Sequence, residues 1–153
     1  MKLLLDTTYF LPAIGVSVKQ LPKDAPLRLI AKGHQISISD ISIFELSAIG
    51  AKHITNKTLT PERVTKGLRA IIYDDTVESI PIHDRQILFT SFKLRSILDD
   101  FIDCLILSSA INQCDALITE DSDILNLNKN KEFNELLATA NSKFKIRKLA
   151  EIL

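Results

Sequence analysis

The sequence predicts an α/β fold, a three-layer α/β/α sandwich around a mainly parallel sheet, and three observations carry that prediction. Short apolar runs stop abruptly at acids, as buried parallel strands do at their carboxyl ends. Segments with helical start signals stand between those runs. Strands and helices alternate along the chain instead of gathering in blocks. The 153 residues are 46% hydrophobic and 25% charged, enough apolar material for one core, so a single domain over residues 1–153 is expected.

Lys2-Leu3-Leu4-Leu5 runs into Asp6-Thr7-Thr8 and reads as the end of a buried strand. A helix is expected from Asp6 to about Val16, and a second from Asp24 to Lys32 after the break at Pro22. Gln35 to Ile38 reads as the second strand, giving way at Ser39 or Asp40, both good N-caps, to a helix that carries Glu45 in its first two turns. Thr60-Pro61 supplies an N-cap and a favoured first-turn proline for a helix to about Tyr73. Thr76 to Ile82 is β-branched enough for a third strand, and His83 to Leu98 keeps helical spacing in part and is expected to be a helix. From Asp99 and Asp100 through Ala110 the acidic start suits a helix amino terminus, and the body is apolar nearly all round, which predicts central packing. Asp115 to Thr119 is another buried strand, ending at Glu120, Asp121 and Asp123. After the polar, turn-rich stretch Asn126 to Lys131 come a short helix near Glu132 to Ala140 and a fifth strand near Phe144 to Leu149.

Four carboxylates stand at the ends of these elements. Asp6 and Asp121 follow strands; Glu45 and Asp103 lie near helix starts. Each alone has an ordinary role as a cap, a turn residue or a partner of the helix dipole. Together they differ, because βα alternation carries such ends to one sheet edge, where open parallel sheets bind ligands. Converging carboxylates would offer the hard oxygen donors that Mg²⁺ or Mn²⁺ takes, and such an ion can drive phosphodiester hydrolysis. Without it they would repel one another and hold protons more tightly, so metal should stabilise the fold.

Leu4-Leu5-Asp6-Thr7-Thr8, then Ser39-x-x-Ser42-x-x-Glu45-Leu46, then Asp103-x-Leu105-Ile106, then Leu117-Ile118-Thr119-Glu120-Asp121-Ser122-Asp123 resemble, in order and spacing, the motifs of PIN domains, close to VapC-type toxins. The resemblance runs from Lys2 to about Leu125, and the terminal strand also fits. It implies a PIN-like five-stranded sheet of order 3-2-1-4-5 and a metal-dependent endoribonuclease leaving 5′-phosphate and 3′-hydroxyl products. Asp6, Glu45, Asp103 and Asp121 match the family's catalytic, metal-binding acids. Asp6 and Asp121 are expected as principal metal ligands, Asp103 as a ligand directly or through water, and Glu45 as a ligand or the group that orients the attacking water. Thr8 matches the hydroxyl residue near the first Asp, and Asp123 a frequent extra acid; both are expected to support the site. The resemblance also implies a homodimer and, for toxin-like members, an antitoxin whose peptide crosses the acidic groove. Glu120 and Ile124 depart from the pattern, standing where relatives often carry Arg or Asn and Phe; Glu120 adds negative charge beside the expected phosphate path.

Other chemistries find less support. With 19 basic and 19 acidic residues the formal net charge is zero, so any RNA contact must be local. Candidates are Lys143, Lys145, Arg147 and Lys148, and Lys52, His53 and Lys57, although solvated charged faces account for both groups. The three histidines and two cysteines lack zinc-ligand spacing, and Cys104 and Cys114, expected on one helix, read as buried thiols. No glycine-rich phosphate loop occurs. A phosphatase with an Asp nucleophile would want an acid two residues after Asp6, where Thr8 stands. A non-catalytic PIN-like module that binds RNA or protein is the alternative reading. Leu11 to Ile14 and Leu46 to Ile54 are amphipathic enough to dock another chain, or to serve the core. No apolar stretch is long enough to span a bilayer, so the protein is expected to be soluble and cytoplasmic, with no membrane contact.

Overall fold

A computed structural model describes residues 1–153. Five strands, β1 (Lys2–Leu5), β2 (Gln35–Ser39), β3 (Val77–Ile80), β4 (Ala116–Ile118) and β5 (Lys145–Arg147), form one sheet of order β3-β2-β1-β4-β5. Every pairing is parallel, with Leu4 opposite Ser37 on one side and Leu117 on the other. β1 is central because its three leucines have no polar side to show: Leu3, Leu4 and Leu5 are fully buried.

The pleat divides the core into two layers. Leu3, Leu5, Ile36, Ile38 and Ile118 pack with Phe10, Ile14, Leu29 and Leu46, which come from the 3-10 helix Thr7–Ile14, α1 (Ala25–Ala31) and α2 (Asp40–Thr55). On the other face Leu4 and Leu117 pack with Ile87 and Leu94 of α4 (Arg85–Leu94), Ile106 and Ala110 of α5 (Phe101–Gln113) and Phe133 of α7 (Lys131–Ala140). The resulting layers are the expected sandwich. α3 (Pro61–Ile72) and α6 (Ser122–Asn126) complete the helices. No helix is long and apolar enough to cross a membrane.

Capping explains most helix starts. Thr60 Oγ1 accepts from the Arg63 amide, and Asp84 and Asp100 each accept from two amides at the amino ends of α4 and α5. α2 starts at the Ser39-Asp40 step, as expected. The α-helix expected from Asp6 to Val16 is instead 3-10, because Pro12 lies inside it, lacks an N–H and would clash with the carbonyl four residues back. Gly15, at φ 97°, turns the chain out of that segment. α4 stops at Leu94, short of the expected Leu98, and Cys114 caps α5 in extended conformation instead of lying within it. The stretch Asn126 to Lys131 is more ordered than its polarity suggests: Leu127 is buried, in a 3-10 turn continuing from α6. Both cysteines are free and buried. Of the two amphipathic docking segments, Ile14 and Leu46 turn into the core.

Candidate active site

The parallel sheet carries its acids to one edge. Asp6 follows β1 in extended conformation, and its amide donates to Ile118 O, which continues the β1–β4 pairing one step beyond the strands. Thr119, next after Ile118, therefore stands beside Asp6. Its Oγ1 donates to Asp6 Oδ2 at 2.6 Å and accepts from the Asp121 amide at 3.0 Å. A single hydroxyl thus ties the turn bearing Asp121 to the carboxylate of Asp6. Asp6 Oδ1 accepts from the Thr7 amide at 2.8 Å. Asp121 Oδ1 caps α6 through the amides of Asp123 and Ile124.

Glu45 comes from the second turn of α2. Thr7 Oγ1 lies 2.6 Å from its Oε1 and 2.9 Å from Ser42 Oγ. Since a carboxylate only accepts and a hydroxyl has one proton, the Thr7 proton goes to Glu45 and Ser42 supplies the other bond. Ser42 is three residues before Glu45, on the same helix face. Asp103 sits in the first turn of α5, half-buried, beside the capping Asp100. With Asp123 and Asn126 these two line an open pocket of about 350 Å³.

The acids feel one another. Asp103 has its pKa pushed up to about 7, first by burial and then by the charges of Asp100, Asp6, Asp121 and Glu45. Asp6 is raised by burial and by Asp121, against the bonds from Thr119 and Thr7 that lower it. Glu45 is likewise raised by burial, lowered by the Thr7 hydroxyl, and raised again by Asp6 and Asp100. None of the three ion pairs in the molecule, Lys2–Glu78, Arg28–Asp24 and Arg95–Asp99, reaches these four carboxylates. No three acids close on one point as a finished ligand set. The donors are all oxygen, with neither thiol nor imidazole among them, which suits a hard divalent cation such as Mg²⁺ or Mn²⁺.

Residues 3–130 match the family model of the PIN domain. This chain belongs to the PIN domain family. Solved structures agree on the fold: a DNA-bound VapBC from Salmonella typhimurium is similar at 22% identity and a TM-score of 0.60, over 97% of this chain and 98% of that one. VapBC2 from Rickettsia felis, bound to a promoter DNA fragment, is similar at 22% identity and a TM-score of 0.57, over 96% and 98%. A toxin–antitoxin complex from Klebsiella pneumoniae is similar at 22% and 0.53, over 78% and 86%. No curated protein matches the chain in sequence.

Within this PIN domain the expected supporting residues lie apart from one another. The hydroxyl on Glu45 belongs to Thr7, buried, whereas Thr8 lines a separate hollow with Glu120 and Leu149. Asp123 is exposed and meets Asp121 through its backbone amide. Glu120 points its carboxylate at structure: Oε1 accepts from Tyr9 Oη at 3.0 Å and from the Leu149 amide at 3.1 Å. Its charge raises the Tyr9 phenol, after burial, and is not among the charges that raise Asp6, Glu45 or Asp103. Thr7, Ser42, Thr119 and Asp100 are the site residues that sequence reasoning missed. Ser42 was visible in its spacing to Glu45, and Thr119 in the strand alternation that pairs it with Leu117.

Proposed function

We propose that this PIN domain is a divalent-metal-dependent endoribonuclease, the toxin of a toxin–antitoxin pair. The observation that carries the reading is the group of Asp6, Glu45, Asp103 and Asp121 at the carboxyl edge of the sheet, mutually repelling and without a cationic side chain to offset them. Asp6 and Asp121 would hold Mg²⁺ or Mn²⁺, with Asp103 completing the set directly or through water. When bound, the ion supplies Lewis acidity and offsets the charge of the scissile phosphate. Glu45, pinned by Thr7, orients the attacking water and receives one of its protons; the water oxygen bonds to phosphorus as the bond to the 3′ oxygen breaks, and that oxygen takes a proton from solvent, leaving a 5′-phosphate and a 3′-hydroxyl. Thr119 keeps Asp6 and Asp121 in register for this.

RNA contact is assigned to local cations. Arg147 and Lys148 stand at the carboxyl end of β5, where the Thr119 amide donates to Arg147 O at 3.0 Å, so they share an edge with Asp121. Lys52 and His53 lie in the last turn of α2, about 10 Å beyond Glu45 along the helix. Cellular RNA as the substrate would put the activity in the cytoplasm. A homodimer is supported by exposed aromatics on α4 and α5, where Phe92 and Phe101 stack with ring centroids 5.9 Å apart; Phe89 of α4 and Phe44 of α2 are exposed as well. An antitoxin partner is supported by the toxin–antitoxin complexes that share the fold. An apolar hollow of about 340 Å³ among Phe10, Pro12, Leu27 and Ile71 is a place for its side chains.

The test is incubation of the purified protein with labelled single-stranded and structured RNA, with and without Mn²⁺ or Mg²⁺, beside Asp103→Asn. Cleavage that needs metal and falls at least 100-fold in the variant, with folding retained, is expected. Metal that raises the melting temperature without any cleavage would instead make the protein a binding module, and no response to metal would remove the site.

A further inference from the structure

One buried hydroxyl beside the carboxylates has no partner in the protein. Ser39 Oγ and Ser37 Oγ are the two buried side-chain polar atoms without a hydrogen bond, and both residues are fully buried. Leaving a buried hydroxyl unpaired forfeits the hydrogen bonds it had with water, so a chain that keeps one where alanine would fit is expected to use it. Ser37 faces the apolar layer and has the Cys114 thiol beside it, a weak partner at best. Ser39 lacks even that.

The register places Ser39. Ile36 and Ile38 point into the layer shared with Leu3 and Leu5, so Ser37 and Ser39 point to the opposite face, the face of Leu4. Leu4 is opposite Ser37, the last paired position of β1 and β2; Asp6 and Ser39 both keep extended backbone, and the same register carried two residues on sets them side by side beyond the strand pairing. Thr119 flanks Asp6 from β4 and is bonded to it. Across the strand ends the row therefore reads Ser39, Asp6, Thr119, on the face covered by α5, which carries Asp103. Thr119 is committed to Asp6. Ser39 has its donor still to place.

We infer that Ser39 is a further positioning residue of the carboxylate site, its hydroxyl donating to the coordination shell of the divalent ion that Asp6 would hold. The inference rests on the reading of the acids as a metal site. Its functional class is that of an outer partner that orients ligands or their waters, whose loss weakens metal affinity while leaving the fold alone. Ser39→Ala removes an unsatisfied group and fills no new space, so it folds as well as the wild type or better.

Calorimetric titration of Mn²⁺ at pH 8 into the wild type, Ser39→Ala, Ser39→Cys and Ser37→Ala, with melting in EDTA as the check on folding, decides the matter. Ser39→Ala is expected to weaken Mn²⁺ binding about tenfold. Ser39→Cys, which fills the volume but donates poorly, follows it, and Ser37→Ala stays within about twofold of the wild type because it lies one pleat repeat from the acids. Wild-type affinity in Ser39→Ala, or an equal loss in Ser37→Ala, overturns the role of Ser39 and leaves the metal site standing. Failure of the wild type itself to bind Mn²⁺ overturns the metal reading and the inference with it.

Discussion

Asp103 sets how the site answers to pH. Its carboxyl is raised from an ordinary value near 3.8 to about 7 in the fold, so the folded state holds a proton that the unfolded chain releases. Over that interval the native state binds more protons, and stability falls as pH rises from about 4 to about 7. Melting in EDTA across this range is expected to show that decline. Asp103→Asn lessens it, leaving the smaller part that the raised Asp6 and Glu45 contribute, and Mn²⁺ abolishes it by displacing the protons. An unchanged slope in the variant would assign the repulsion elsewhere. Asp103→Asn is also the cleaner loss-of-charge variant. Asp6 accepts on both oxygens, from Thr7 and Thr119, and an amide there turns one acceptor into a donor facing the Thr119 hydroxyl. Which of Thr7 and Thr8 faces Glu45 could not be read from adjacent identical residues, because the choice depends on the 3-10 path after Asp6. Asp100 was legible only as an acid suited to a helix amino terminus; it caps α5, and its charge on Asp103 needed the half-buried setting of α5 to matter.

At the scale of elements, one residue can serve two purposes, and Asp121 does. Its Oδ1 caps α6 while its charge acts on Asp6 and Asp103. Asp121→Asn retains the cap and is expected to melt at or above the wild-type temperature, whereas Asp121→Ala loses about 1 kcal/mol; both weaken Mn²⁺ binding. Urea unfolding of the two variants side by side separates cap from charge. Packing sets a second constraint. A Cβ on Gly67 of α3 would collide with the backbone carbonyl of Ala13, so α3 lies directly on the 3-10 helix with no side chain between them. Gly67→Ala, neutral or better for an isolated helix, is expected to destabilise the protein by about 1–3 kcal/mol, read by urea unfolding.

Strands and caps were legible because each is a local matter: leucines ending at Asp6, the Ser39-Asp40 step, Thr60 before Pro61. The 3-10 path through Pro12 was only half legible, since the proline forbids an α-helix without naming its replacement. The unsatisfied Ser39 was not legible at all, because what a buried hydroxyl lacks depends on neighbours from other strands.

For the whole molecule the decisive fact is that the centre of the sheet is assembled from strands far apart in the sequence. β1 pairs with β2 early, but its other partner, β4, arrives late, and the Thr119–Asp6 bond spans 113 residues. A chain ending at Cys114 would leave Leu3, Leu4 and Leu5 open along one edge. It is expected to give no cooperative thermal transition by circular dichroism; a sharp transition would show that β4 is dispensable to the core.

That separation also acts in time. At about 5–20 residues per second, ribosomes need on the order of ten seconds to pass from Asp6 to Asp121. Through that interval the nascent polypeptide holds Asp6 with no Asp121 to face it. A polypeptide abandoned before Ala116 therefore never brings Asp6, Glu45, Asp103 and Asp121 to one sheet edge, so whatever chemistry these acids perform waits for the strand that completes the sheet.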